Sequence, residues 1–151
     1  MTVRVRDNGY SRVVANVAAL SSPVAVKVGV LDDKPHGDGV TVADIALVHE
    51  YGLGDVPERS FLRAWVDENK AEIARRLKQA AEDAVFGRQA PDVAMQRFGL
   101  WAVGEIKKRI VAGISPPLDP RTVARKGSST PLVDTGQLLS SITSAVVRGA
   151  K

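Results

Sequence analysis

The feature that most constrains this chain is a run of alternating valines, "VAVKVGVL", at Val24 to Leu31. Valines at every second position share one face of a strand, and β-branched residues suit a pleated sheet. A second β-like segment, "SITSAVVR", lies near the end of the chain at Ser141 to Arg148, and the longest helical patterns fall between the two. We therefore expect an α+β fold, in which a small, mostly antiparallel sheet from strands near both termini packs against two long helices plus shorter helices.

Helical spacing of apolar residues accounts for most of the remaining chain. Long helices are predicted over about 58–86 and 91–112, and a short one over 135–140 begun by a capping pair, Asp134 and Gln137. Thr41 and Asp44 form a second capping pair, and Gly52 would end the helix that they begin. Near the N-terminus, "TVRVR" at 2–6 predicts a short strand, and a helix capped at residue 7 or 8 follows it. The stretch "DDKPHGDG" predicts a loop.

Length and composition indicate one folded domain over residues 1–151, with an extended loop at about 114–134. Hydrophobic residues make up 44% and charged residues 25%, which is typical of a globular protein rather than a disordered one. There is no cysteine, so disulfides, thiolate metal sites and cysteine nucleophiles are excluded, and a reducing cytoplasm is suitable. No apolar run approaches the roughly 20 residues that cross a bilayer, and we expect neither a membrane span nor a secretory signal.

The charge of the chain is unevenly placed. Residues 1–100 carry 13 Lys and Arg against 14 Asp and Glu, whereas residues 101–151 carry 8 against 3, so the last third is basic. One interpretation is a solvated surface that keeps the protein soluble. The other is a surface that faces nucleic acid or an acidic partner.

Signals for catalysis are weak. His49 and Glu50 begin like the HExxH zinc motif, but Leu53 stands where the second histidine is required. Lys126 and Gly127 evoke a phosphate loop, but their order is reversed with respect to GxxxxGK[ST]. The acidic residues of the long helix are interspersed with Lys and Arg, as on a solvated face. We therefore predict no catalytic residue, no metal site and no cofactor, and we expect Trp65 and Trp101 to lie in the core.

Three segments in order resemble a known family. The matching residues are His49-Glu50-Tyr51-Gly52; Pro57 with Arg59, Phe61, Leu62 and Arg63; and then Lys126-Gly127, Pro131-Leu132, Asp134-Thr135-Gly136, Leu138 and Ser141-Ile142. This pattern resembles the tail-completion and neck proteins of long-tailed bacteriophages, a family related to the tail-component protein of lambdoid phages. The likeness covers most of the chain, and its late segment is the most specific part. Glu58 and Ser60 depart from it, because smaller or proline-like residues are expected there.

The resemblance implies a non-enzymatic virion protein at the head-tail junction, assembled in the cytoplasm of the bacterial host. Such proteins form rings, most often six-fold, that complete the tail or join it to the head. The implied partners are other copies of the chain and the neighbouring neck, connector, tail-terminator or tail-tube proteins, with passing DNA contacted without sequence reading. Tail terminator and head-tail adaptor or stopper are alternatives within the neck. Outside it, the alternatives are a sequence-independent DNA-binding module and, from His49 and Glu50 alone, a hydrolase.

Candidate residues follow from the resemblance. Tyr51 and Gly52 would shape the turn before the long helix, and Phe61 and Leu62 would anchor its start. The late segment would supply the partner interface through Leu132, Val133, Asp134, Thr135 and Leu138, although the first two would equally suit their own subunit's core. Three basic residues would face DNA, an acidic neighbour or plain solvent: Arg121, Arg125 and Lys126.

Overall fold

The computed structural model describes residues 7–31, 35–37, 39–117, 120, 123–124 and 136–149. Within these ranges the helices are α1 (Tyr10–Ala19), α2 (Val42–Tyr51), α3 (Arg63–Glu68), α4 (Lys70–Val85), α5 (Pro91–Ala112) and α6 (Gln137–Ser141). The strands are β1 (Val24–Val30), β2 (Pro35–Gly37), β3 (Val40–Thr41) and β4 (Ile142–Arg148). The predicted strand at 2–6 lies outside the described residues.

The central pair of strands joins the two ends of the chain. β1 and β4 run antiparallel, with Val24 opposite Arg148 and Val30 opposite Ile142. α5 packs against both strands. A Cβ at Gly99 of α5 would lie 2.8 Å from the Cβ of Ser144, so the helix approaches the sheet more closely than any side chain would allow. The predicted α+β fold, with antiparallel strands from near both termini packed against helices, is confirmed.

The hydrophobic core lies where α5, the sheet and the α2–α3 region meet. Its largest fully buried side chains are Phe61, Ile106, Ile110 and Ile142. Trp65 is buried and packs at 5.4 Å, centroid to centroid, against Trp101, which is half-buried at the edge of the same cluster. These apolar residues come from three segments that are distant in sequence, and the loss of their water-exposed area is the main stabilising contribution to the fold.

The predicted long helix over 58–86 is wrong in two respects. The helix begins only at Arg63, and Asn69 separates α3 from α4. Asn69 has φ −110° and ψ 14°, and its side-chain amide donates to the Trp65 carbonyl oxygen at 2.8 Å, which competes with regular helix geometry. The helical spacing of apolar residues would place Val66 and Leu77 on the buried face of one long helix, but both are exposed, and the small Ala80 and Ala84 are buried instead.

Two shorter predictions also need correction. α6 begins at Gln137 behind Gly136, which has a φ of 73° and supplies no side-chain cap, while Asp134 of the expected capping pair lies outside the described residues. The stretch predicted as a loop, residues 32–39, contains β2, which pairs antiparallel with β3 directly after the stretch. By contrast, the bounds of α5 agree with the predicted 91–112, and the Thr41–Asp44 capping box is present in full.

Candidate functional site

The residues of the HEYG and PERSFLR segments meet at the junction between α2 and α3, which spans 49–63. Glu50 lies on α2 and is 5% exposed. Its Oε1 accepts from the Ser60 hydroxyl at 2.6 Å and the Arg63 N–H at 2.7 Å, and its Oε2 accepts from the Phe61 and Leu62 N–H groups at 2.9 and 3.0 Å. One carboxylate therefore binds the free N–H groups at the start of α3, a role that is usually filled by a residue next to the helix in sequence.

Ser60 and Arg59 complete this junction. The Ser60 hydroxyl also accepts from the Ala64 N–H at 3.0 Å, so a second side chain helps to cap the first turn of α3. The Arg59 N–H donates to the His49 carbonyl oxygen at 2.7 Å. The Arg59 guanidinium is buried, and it donates to the carbonyl oxygens of Pro116 and Pro117 at 2.8 and 3.2 Å, which ties the junction to the segment after α5.

The electrostatics of Glu50 suit a structural anchor rather than a catalytic base. Burial alone would raise its pKa, but the hydrogen bonds from Ser60 and from the backbone of Leu62, Arg63 and Phe61 outweigh burial and hold the pKa below its ordinary value. Both oxygens already accept two hydrogen bonds each, so taking up a substrate proton would require breaking the cap of α3. Within the described residues, no group of three or more His, Asp or Glu side chains is arranged to hold a metal ion.

The turn residues predicted around this junction are placed as follows. Gly52 ends α2 with a φ of 69°, and a Cβ there would lie 2.9 Å from the Glu58 backbone nitrogen. Tyr51 is 59% exposed, with the Arg63 guanidinium 5.0 Å from its ring centroid. Phe61 is fully buried and Leu62 is half-buried, immediately before α3.

An apolar groove opens beside the junction. It has a volume of about 580 Å³ and runs between the end of β1, α2 and α3. Val28, Val30 and Leu62 are among its lining residues, and the exposed side chains of Leu47, Tyr51 and Val66 also line it. We call this surface the α2–α3 groove. An apolar concavity with exposed apolar walls is typical of a site that another protein segment covers.

Of the residues predicted in the late segment, the structure describes only Leu138. Leu132, Val133, Asp134 and Thr135 lie outside the described residues, as do Arg121, Arg125 and Lys126. Leu138 is 6% exposed and belongs to the core cluster, so its assignment to a partner interface needs correction. Its place on α6, directly before β4, turns the side chain into its own subunit.

Two residues of this site were missed at the level of sequence. The sequence shows Arg59 only as a match to a family pattern and Ser60 as a departure from it, yet both hold the junction together. No local signal marks Arg59 as buried, because the neighbouring Glu58 and Arg63 make the segment look like a charged surface. Nothing in the spacing of Ser60 and Glu50 indicated that they would meet, since they are ten residues apart and on different elements.

Most described arginines are already paired with acidic side chains. The ion pairs are Arg63–Glu58, Arg75–Glu72, Arg76–Glu72, Arg88–Asp83, Arg109–Glu68 and Arg148–Asp92. The hydrogen bonds from Arg75, together with those from Arg76, lower the pKa of Glu72 to about 2 against a smaller opposing effect of burial. This part of the surface therefore carries compensated charge rather than an open basic patch.

Comparison with known proteins adds no identification. No protein-family model matches the sequence, and neither a curated protein nor a solved structure matches it. None of the described helices combines the length and the apolar character that crossing a membrane would need. The class that the fold defines is a small α+β domain whose α2–α3 junction is fixed by a buried glutamate and a buried arginine.

Proposed function

We propose that this protein is a structural subunit of the head-tail junction of a long-tailed bacteriophage, where it assembles with further copies of itself into a ring. The observation that supports the proposal best is the set of hydrogen bonds that the motif residues make. Glu50 accepts hydrogen bonds from the backbone at the start of α3, and Arg59 donates to the backbone after α5. Residues that bond to their own backbone in this way maintain the shape of a subunit that assembles. The hydrolase alternative has less support, because Glu50 is its candidate base and is already engaged.

Apolar surfaces that the described residues leave uncovered support an assembling subunit. The α2–α3 groove is one of them, and α1 carries another, because Tyr10 is 76% and Val17 53% exposed. A subunit in a ring needs two different complementary surfaces. The alternative of a DNA-binding module has less support, since the described arginines on α4, on α5 and between them are mostly ion-paired.

The test is deletion of this gene from the phage that encodes it, followed by electron microscopy of the lysate. We expect filled heads and separate tails that do not join, and the wild-type gene supplied in trans should restore joined particles. The two alternatives within the neck give different outcomes. Loss of a terminator would leave tails of irregular length, and loss of a stopper would leave heads emptied of DNA. Normal, infectious particles would overturn the proposal.

A further inference from the structure

Helix α1 presents two different faces. Val13, Asn16 and Leu20 are half-buried against the rest of the chain, and the Asn16 side-chain amide donates to the Val85 carbonyl oxygen at 3.0 Å. On the outer face, Tyr10, Val14 and Val17 are 76%, 48% and 53% exposed. Their spacing of i, i+4 and i+7 is the pattern of anchors by which an amphipathic helix lies in a groove of another protein.

α1 and the α2–α3 groove lie at opposite ends of β1. α1 leads into β1 at Val24 and contacts the last turn of α4, whereas the groove is lined by the end of β1, at Val28 and Val30, and by α3. A strand of seven residues extends over about 20 Å. Because α1 is attached at the far end of that strand and is bonded to the end of α4, none of its residues lines the groove of its own chain.

Charge and length both match between the two surfaces. The charged residues of the groove are each occupied within the chain: Glu50 by the start of α3, Arg63 by Glu58, and Asp67 by Lys70 at 2.9 Å. The groove therefore favours an uncharged occupant, and the outer face of α1 presents no charged side chain. Tyr10 to Val17 spans about 10 Å of helix, and Ala43 to Tyr51, which line the groove on α2, span about 12 Å.

We propose that Tyr10, Val14 and Val17 of one copy occupy the α2–α3 groove of the next copy. The two surfaces differ, so the contact is head-to-tail and repeats from subunit to subunit. That this repeat closes into a ring rests on the proposed function. A two-turn helix covers less than the roughly 800 Å² per partner of a stable binary interface, so the contact is weak in a pair and gains strength from ring closure.

Disulfide cross-linking tests the contact directly, because the chain has no native cysteine. A Val14→Cys chain is mixed with a Leu47→Cys chain under mild oxidation, at concentrations up to about 1 mM to capture a weak contact. We expect a covalent heterodimer from the mixture, and a ladder of covalent oligomers when one chain carries both cysteines. A second pair, Val17→Cys with Val66→Cys, probes a different position along the groove. Circular dichroism checks that each variant is folded.

The matched control replaces Leu47→Cys by Leu100→Cys. Leu100 is similarly exposed, 62% against 57%, but lies on α5 away from the groove, and it should give no heterodimer with Val14→Cys. A homodimer of Val14→Cys alone, or no product from either groove pair at the highest concentration, overturns the proposed contact. Neither result would affect the phage-deletion experiment, so failure of the docking contact and failure of the neck assignment can be distinguished.

Discussion

At the scale of single residues, Glu50 fixes the junction between α2 and α3. Its carboxylate is buried and receives four hydrogen bonds, three of them from backbone N–H groups at the start of α3. Hydrogen bonds to a charged group are stronger than neutral ones, and removing their acceptor leaves buried donors unsatisfied. The junction between α2 and α3 thus depends on one side chain.

We therefore expect Glu50→Gln to destabilise the protein by about 2–4 kcal/mol, because one acceptor oxygen becomes an amide that faces N–H donors. Urea unfolding followed by circular dichroism gives the free energy. The control is Glu82→Gln, on α4, whose exposed ion pair with Lys78 at 3.9 Å should change stability by no more than about 0.5 kcal/mol. Equal losses in the two variants would contradict the assigned role of Glu50.

The same carboxylate predicts a pH dependence. Its folded-state pKa is depressed below the ordinary 4.5, so its stabilisation is present above that value and is lost as pH falls through the lower, folded-state pKa. Unfolding free energies measured from pH 7 downward should decline below about pH 4.5 more steeply in the wild type than in Glu50→Gln. Parallel declines would show that Glu50 does not contribute, since the other carboxylates, including Glu72, are common to both proteins.

Gly52 offers a test of the turn that precedes the junction. A Cβ there would lie 2.9 Å from the Glu58 nitrogen and 3.2 Å from the Val56 carbonyl oxygen, at a positive φ of 69°. Gly54 has a comparable φ of 58° but nothing within 4 Å. Gly54→Ala should thus cost about 1 kcal/mol from backbone strain alone, and Gly52→Ala about 3 kcal/mol from strain plus the clash with backbone. Thermal unfolding of both variants measures the difference, and similar melting temperatures would refute the clash.

At the scale of elements, the sequence predicted those whose signals are local. The alternating valines predicted β1, and Pro91 followed by an apolar pattern predicted the bounds of α5, because propensity and periodicity act within each segment. The start of α3 was predicted five residues early, since the acidic and apolar residues from Glu58 onward suit a helix. The actual start is set by Glu50 on another helix, and no local pattern encodes such a cap.

The candidate site was predicted only in part for a similar reason. The turn residues Tyr51 and Gly52 carry local signals, whereas the bond between Arg59 and the carbonyl oxygens of Pro116 and Pro117 joins segments 57 and 58 residues apart. The α2–α3 groove arises from three elements that meet, so it was not visible in any one of them. Long-range polar contacts and concave surfaces are products of packing, and they follow from the sequence only through the whole fold.

The packing of α5 on the sheet gives a prediction for this pair of elements. A methyl group at Gly99 would lie 2.7–2.9 Å from Ser144 and Val26, so Gly99→Ala should push the helix outward and destabilise by about 1–3 kcal/mol. Gly104, in the same helix, has nothing within 4 Å, and Gly104→Ala should stabilise by about 0.5–1 kcal/mol through helix propensity. Denaturant unfolding should show that the unfolding free energy falls in Gly99→Ala and rises in Gly104→Ala. A higher unfolding free energy in both variants would mean that α5 does not approach the sheet this closely.

At the scale of the whole molecule, stability is unevenly distributed. α5 buries Ala102, Ile106 and Ile110 at the centre of the core. None of the ten residues of α1 is buried. Within the described residues, one side-chain hydrogen bond joins α1 to α4, and the Asn16 amide donates it. A helix with so little tertiary contact is held weakly, because short helices gain most of their stability from packing. An assembling subunit can use such a helix, since a partner then supplies the missing contacts.

Native-state hydrogen exchange should reveal this distribution. The appropriate comparison is α2, which also has ten residues but carries a capping box and buries Val42, Ala46 and Glu50. In dilute protein, amides in the middle of α1 should exchange about 10–100 times faster than those of α2, since local opening of α1 exposes little apolar surface. At high concentration, occupancy of the α2–α3 groove by α1 should slow exchange in α1. Equal protection of the two helices in dilute solution would mean that α1 opens only with the whole chain, and its outer face would then be part of a rigid surface.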